Sequence, residues 1–126
     1  MSRQRQRGTE FESAVVAYLR EQLGEDGRIG GIDRTAPHGG GDVGDVYGVF
    51  RAGLPVVIEC KSYRKNEFLA GWLDEAEAER GNADALAGVV VSKRRGIGTK
   101  NMGQQLVSMT LADFVALIAG QRGDWE

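Results

Sequence analysis

Three charged residues stand at the ends of two predicted strands, where they could act together in catalysis. Asp45 begins one predicted strand, and Glu59 and Lys61 close the next one after an apolar run at 54–58. A strand places residues i and i+2 on the same face, so Glu59 and Lys61 point one way while Cys60 points the other. A carboxylate and an ammonium at the end of a buried strand are costly unless something pairs with them. A divalent metal ion and a phosphate group would do so.

Glu12 is a further candidate carboxylate, contributed by the first predicted helix. At about 100° per residue it falls inside the apolar arc of that helix, whereas Glu10 falls outside it. Hard cations such as Mg²⁺ take oxygen ligands and keep several waters, so two or three carboxylates and phosphate oxygens suffice as ligands. Such a metal lowers the pKa of a bound water, and Lys61 could orient that water or neutralise developing charge. This is the chemistry of phosphodiester hydrolysis.

The elements that would position these residues follow from hydrophobic periodicity and turn residues. We predict, in chain order, a helix at 8–23 that ends at Gly24, strands at 28–35, 45–51 and 54–61, a helix at 68–82, strands at 86–92 and 105–109, and a helix at 111–119. Ala52-Gly53 predicts a hairpin between the second and third strands, and Thr110, Asp113 and Gly120 are the expected caps of the last helix. This order, αβββαβ with a trailing βα, predicts an α/β protein with a mixed central sheet flanked by helices.

The length and composition predict one globular domain over residues 1–126, in which residues 1–7 form a basic, flexible N-terminal arm. The chain has 126 residues, of which 41% are hydrophobic and 27% charged, enough for a single core. No apolar stretch approaches the roughly 20 residues of a membrane span, and no apolar segment of a secretion signal follows the basic N-terminus. The single cysteine, Cys60, cannot form an internal disulfide. We therefore expect a cytoplasmic protein.

The net charge of −2 conceals a segregated charge distribution. The cations form acid-free stretches at 3–7, 61–65 and 93–100, and the acids concentrate at 67–79. Any one stretch alone is more simply a solvated face, but three of them beside a carboxylate site favour a polyanion on one face. We interpret 74–79 as a solvated helix face, the alternative being that one of its acids supports the metal. The candidates for contact with DNA are Arg7, His38, Arg64, Lys65, Lys93, Arg94, Arg95 and Lys100.

The candidate residues and their order resemble the PD-(D/E)XK nuclease superfamily, whose fold is restriction-endonuclease-like. The resemblance is carried by Gly8-x-x-x-Glu12, Gly44-Asp45-Val46 and Glu59-Cys60-Lys61, and it extends over nearly the whole chain. Within the superfamily, the short layout is similar to archaeal Holliday-junction resolvases. The stretches at 38–48, 70–77 and 93–96 resemble those of resolvase-like nucleases of actinobacteriophages. A cytoplasmic location in a bacterial or phage-infected host cell follows from this resemblance.

The resemblance implies roles for the matching residues. Asp45, Glu59 and Glu12 would bind Mg²⁺, for which Mn²⁺ would substitute, together with the backbone carbonyl of Cys60. Lys61 would be catalytic alongside the three carboxylates. The implied activity is hydrolysis of branched DNA, as in a Holliday-junction resolvase, by a homodimer because two symmetric cuts require two active sites.

Several alternatives stay open at the level of sequence. A flap-type or general DNA nuclease would use the same residues, and a noncatalytic DNA-binding module would keep only the fold. Asp42 could be a second metal ligand or simply part of the loop, and we prefer Asp45 as the ligand because a predicted strand continues behind it. Trp72 is expected to pack in the core, the alternative being that it stacks on an unpaired base.

Overall fold

The computed structural model describes residues 2–24, 31–35 and 43–123. Its elements, in chain order, are α1 (Arg3–Leu23), β1 (Asp33–Arg34), β2 (Val46–Tyr47), β3 (Phe50–Arg51), β4 (Leu54–Lys61), α2 (Leu69–Ala83), β5 (Ala87–Ser92), β6 (Leu106–Ser108) and α3 (Leu111–Ala119). Short 3₁₀ helices cover Asn66–Phe68 and Thr99–Gln104. Two candidate residues, His38 and Asp42, lie outside the described residues. No described helix combines the length and apolar character needed to cross a membrane.

The described strands form one mixed sheet in the order β1-β2-β4-β5-β6, with β3 also paired to β4. Strands β4 and β5 are parallel, and every other pair is antiparallel. Helix α2 connects the two parallel strands, because a parallel pair requires a crossover that a tight turn cannot provide. The predicted α/β protein with a mixed sheet flanked by helices is therefore confirmed.

The two faces of the sheet bury different clusters. On one face, α1 contributes Phe11 and Val15 to a cluster with Ile58 of β4 and Val89 of β5. On the other face, Trp72 and Ala76 of α2 pack against Val90. The alternation of side chains along β4 consequently leaves Glu59 on the α2 face, whereas Cys60 packs partly against the α1 cluster, as predicted.

The first helix begins earlier than predicted. It starts at Arg3, before the expected start at Gly8, because the side chain of Ser2 caps it by accepting a hydrogen bond from the Arg5 N–H at 3.1 Å. The basic segment at 3–7, predicted as an N-terminal arm, is thus helical as the first part of α1, and its flexibility stays a prediction. The helix ends at Leu23 with Gly24 at its C-cap, as predicted.

The predicted strand at 45–51 is interrupted. Gly48 has a φ of 94°, and a Cβ atom there would lie 2.1 Å from the carbonyl oxygen of Gly31, so the backbone turns between β2 and β3. The hairpin at Ala52-Gly53 is confirmed, with positive φ at both residues and β3 paired to β4. In the region predicted as strand 28–35, the described strand is limited to Asp33–Arg34.

The C-terminal part follows the prediction closely. Strand β6 pairs with β5, and the hydroxyl of Thr110 accepts a hydrogen bond from the Asp113 N–H at 3.2 Å at the start of α3. Gly120 ends α3 with a φ of 73°. The carboxylate of Asp113 pairs with Arg122 at 2.6 Å.

Candidate active site

Asp45 is held in place by backbone contacts with β4. The preceding Gly44 has a φ of 97°, and a Cβ atom there would lie 2.9 Å from Val57 and 3.0 Å from the Ile58 carbonyl oxygen. This close approach lets the Asp45 N–H donate to the Ile58 carbonyl at 2.8 Å. The Cys60 N–H in turn donates to Asp45 Oδ2 at 2.8 Å. The Asp45 carboxylate is thereby fixed against the end of β4, next to Glu59.

Glu59 is almost completely buried, with 4% of its surface exposed. Its carboxyl group lies within hydrogen-bonding reach of the carboxyl groups of Asp45 and Glu79. Burial, followed by these two contacts, raises the pKa of Glu59 far above its ordinary value near 4.5. Carboxylates brought together in this way repel one another unless they share protons or a cation.

Glu79 is a site residue that the sequence interpretation does not identify. It is 2% exposed, so the interpretation of 74–79 as a solvated face is wrong at this position, although it holds for the exposed Asp74. A signal is present in the sequence, because Trp72, Ala76 and Glu79 follow helical spacing and are all buried on one face of α2. Helical spacing of the same kind predicts Glu12 on the inner face of α1.

Lys61 lies at the edge of this acidic cluster. Its Nζ donates to Glu75 Oε1 at 2.9 Å and stands 5.8 Å from the centre of the Trp72 ring. Burial lowers the pKa of Lys61, but the hydrogen bond and charge of Glu75, with the charges of Glu59 and Asp45, outweigh burial and raise it overall. Lys61 is therefore an ammonium at neutral pH, and it lies beside the carboxyl groups of the cluster.

Glu12 lies on the α1 side of Asp45. It is partly buried, as its predicted helix face requires, whereas Glu10 is exposed. Burial and then the charge of Asp45 raise the pKa of Glu12, and an ion pair with Arg34 at 3.1 Å opposes them. Glu12 is therefore electrostatically coupled to Asp45, while the direct contacts of Glu59 are with Asp45 and Glu79.

The donor set matches a divalent cation that prefers oxygen ligands. Carboxylate oxygens of Glu59, Glu75 and Glu79 all lie within 4.8 Å of one another, and Asp45 contacts Glu59. Nearly complete burial of two carboxyl groups that face each other is costly when both are ionised, and a cation would offset that cost. The carbonyl of Cys60 stays a predicted ligand, since the observed contact of this residue with the cluster is through its N–H.

The predicted DNA-contacting residues fall into several environments. Arg7 and Lys65 line a common cleft beside the segment that follows β4. Arg64 is partly buried, and its guanidinium donates to the hydroxyl groups of Ser92 and Ser108.

A basic loop, residues 93–98, follows β5 at the same edge of the sheet as Lys61. The Lys93 N–H donates to the Lys61 carbonyl at 3.0 Å, and Arg94 and Arg95 are exposed. Gln105, for which no role is predicted, holds the loop by accepting from the Arg94 N–H at 2.7 Å and donating to the Ile97 carbonyl at 3.3 Å. Lys100 is exposed in the following 3₁₀ helix.

Comparison with known proteins yields no match to the chain among family models, curated proteins or solved structures. What the site supports must therefore be inferred from its own geometry.

Proposed function

We propose that this protein is a metal-dependent endonuclease that hydrolyses phosphodiester bonds in branched DNA. The observation that carries the proposal is the convergence of the carboxyl groups of Asp45, Glu59 and Glu79, with Lys61 beside them, at the end of β4. Carboxyl groups that are buried against one another weaken a fold when they ionise, so a site of this kind indicates a function.

Each residue has a definite role in this proposal. Asp45, Glu59 and Glu79 would hold Mg²⁺ or Mn²⁺, with Glu12 contributing from the α1 side. The bound ion would supply a more acidic water and positive charge near the scissile phosphate. Lys61 would orient the attacking water or offset charge that develops on the phosphate, and Glu75 would hold its ammonium in position.

The topology supports the finer assignment to a restriction-endonuclease-like core of the PD-(D/E)XK type. Asp45 immediately precedes β2, and the Glu59-Cys60-Lys61 segment ends the adjacent strand β4, with Val46 opposite Ile58 in the antiparallel register. Glu12 approaches from the preceding helix. This arrangement corresponds to the resemblance in the sequence, although the additional helix carboxylate at Glu79 is not part of the motif.

The apolar surface of α3 supports a homodimer, as expected for paired cuts in a Holliday junction. Leu111, Phe114 and Ile118 are 77%, 50% and 69% exposed, and Val107 of the edge strand β6 is 55% exposed. Exposed apolar patches of this kind mark interaction surfaces. A two-fold dimer through α3 would supply the two active sites that symmetric cleavage needs, in the cytoplasm of a bacterial or phage-infected cell. A monomeric flap-type or general nuclease is the alternative.

The test is a cleavage panel of a four-way junction, a flap, a linear duplex and a single strand, with Mg²⁺ and with chelator. We expect Mg²⁺-dependent cleavage of branched DNA that chelator abolishes. Glu12→Gln should reduce cleavage markedly, and the matched control Glu10→Gln on the exposed face of the same helix should be near neutral. Absence of cleavage for every DNA with Mg²⁺ or Mn²⁺ would contradict the proposal and favour the noncatalytic module.

A further inference from the structure

An open cleft of about 500 Å³ begins at the residue after Lys61. It separates the start of α1 from the segment at 62–68, and Gln4, Arg7, Ser62, Tyr63, Lys65 and Phe68 line it. Among the described residues that line the cleft, two are cations and none is acidic. Clefts of this size accommodate one small planar group with its polar substituents.

Two exposed aromatic rings form one side of the cleft. Tyr63 and Phe68 are 47% and 43% exposed. Both contact the buried Trp72, at centroid distances of 5.3 Å for Tyr63 and 6.4 Å for Phe68. Because Trp72 fixes them from below, ordering these rings against a ligand costs little conformational entropy. Trp72 also lies under Lys61, so this aromatic surface is continuous with the candidate active site.

The cations of the cleft stand where they can contact phosphate. Lys65 Nζ is 5.6 Å from the centre of the Phe68 ring, and Arg7 lines the same cleft from α1. Aromatic rings combined with a positively charged groove are the means by which proteins bind unpaired nucleotides. A paired duplex keeps its base faces stacked on one another and so cannot use such rings.

We infer that this cleft binds an unpaired nucleotide of the DNA substrate, with the base stacked on Tyr63 and Phe68 and the adjacent phosphates contacted by Arg7 and Lys65. The inference rests on the proposed function, since it places the unpaired nucleotide next to Lys61 and hence near the scissile phosphate. It predicts that, among branched DNAs, four-way junctions included, those with unpaired nucleotides at the branch point bind more tightly than fully paired ones.

The test compares the full-length protein on two branched DNAs that differ only in having, or lacking, unpaired nucleotides at the branch point. Fluorescence anisotropy in chelator measures Kd without cleavage, and 2-aminopurine at the unpaired position reports stacking by a decrease in fluorescence. Tyr63→Ala and Phe68→Ala should each raise the Kd for the unpaired substrate about tenfold and remove the quenching. Tyr63→Phe should retain both properties, and the matched control Phe50→Ala, on β3, should change neither.

The outcomes separate this inference from the proposed function. Equal affinity of the wild-type protein for the two DNAs, or an equal loss of affinity for both DNAs in Tyr63→Ala and Phe68→Ala, would overturn the inference even if Mg²⁺-dependent cleavage is present. Preference for the unpaired substrate that the two variants abolish would support the cleft. If the protein showed that preference without any cleavage, the nuclease proposal alone would fail.

Discussion

Helix α2 places two acidic residues, Glu77 and Glu79, in opposite electrostatic environments. Glu77 pairs with Arg80, and the guanidinium of Arg122 lies 4.0 Å from Glu77 Oε2. The same guanidinium donates to Oδ1 of the buried Asp113 at 2.6 Å. Glu79 instead faces the carboxyl groups of Glu59 and Glu75. The hydrogen bond from Arg80 is the first cause of the lowered pKa of Glu77, whereas burial and neighbouring carboxyl groups raise the pKa of Glu59.

The contrast between Glu77 and Glu79 distinguishes buried charges that stabilise the fold from buried charges that serve a function. In the balanced cluster of Glu77, Arg80, Asp113 and Arg122, each carboxylate has a cation within reach, so the cluster links α2 to α3 and to the C-terminal segment. In the acidic cluster of Asp45, Glu59, Glu75 and Glu79, the carboxyl groups face one another, and Lys61 pairs with Glu75. The balanced cluster should therefore govern stability, and the acidic cluster should govern cation binding and catalysis.

The largest effect should come from removing charge in the acidic cluster. Asp45→Asn and Glu59→Gln should each lower the rate of Mg²⁺-dependent cleavage by on the order of 10³-fold, since each removes a ligand while preserving shape. Glu77→Gln, on the same helix as Glu79 but in the balanced cluster, should cleave at close to the wild-type rate. Single-turnover cleavage assays measure this contrast. Equal decreases in all three variants would show that the two clusters do not differ in function.

Mutations in the balanced cluster should lower the stability of the fold. Arg122→Met leaves the buried Asp113 carboxylate without its 2.6 Å partner, which should cost about 3 kcal/mol of unfolding free energy and lower Tm by roughly 10 °C. Arg95→Met, at an exposed arginine, is the matched control and should change Tm little. Thermal unfolding monitored by circular dichroism checks both. An unchanged Tm in Arg122→Met would mean that the balanced cluster contributes nothing to the fold.

The pH dependence of stability should have opposite signs in the two clusters. Because folding raises the pKa of Glu59, the contribution of Glu59 to folding stability is fully present below its unfolded-state pKa near 4.5. That contribution is lost as the pH rises toward the folded-state pKa. Because folding lowers the pKa of Glu77, the contribution of Glu77 to folding stability is present above its unfolded-state pKa near 4.5 and is lost as the pH falls through its folded-state pKa. The Tm of metal-free protein should therefore fall between pH 6 and pH 8, and Glu59→Gln should flatten that slope. A wild-type slope that persists unchanged in Glu59→Gln would contradict the electrostatic explanation of the acidic cluster.

The smallest effect should come from the basic loop. Removing Arg94 and Arg95 together should weaken binding to every DNA of suitable shape and reduce the salt slope of log K by about one for each phosphate that the loop binds. Binding of metal should not change. Titrations of junction DNA at several salt concentrations measure the slope, and an unchanged slope would show that the loop faces solvent.

Local patterns predict much of this fold because the deciding contacts lie close in sequence. The bounds of β4 and the Thr110 and Gly120 caps of α3 follow from such patterns. The break at Gly48 depends on its approach to Gly31, and the pairing of Glu77 with Arg122 joins distant segments, so no local pattern reveals either. Asp45 and Glu59 can be predicted from the sequence, because the predicted hairpin brings the start of one strand next to the end of the other. Glu79 is missed when the many acids within 74–79 are taken to mark a solvated face, because its helical spacing from Trp72 and Ala76 is then ignored.

The cation-binding role of the acidic cluster is best tested by Mn²⁺ binding to the purified protein, measured by isothermal titration calorimetry at pH 8 in the presence of uncleavable branched DNA. We expect saturable binding to the wild-type protein, loss of binding in Glu59→Gln, weakening in Glu79→Gln and retention in Lys61→Met, which should nevertheless be unable to cleave. Binding that is unchanged in Glu59→Gln and Glu79→Gln, or that is absent from the wild-type protein, would contradict the assignment of this acidic cluster as the metal site of a nuclease.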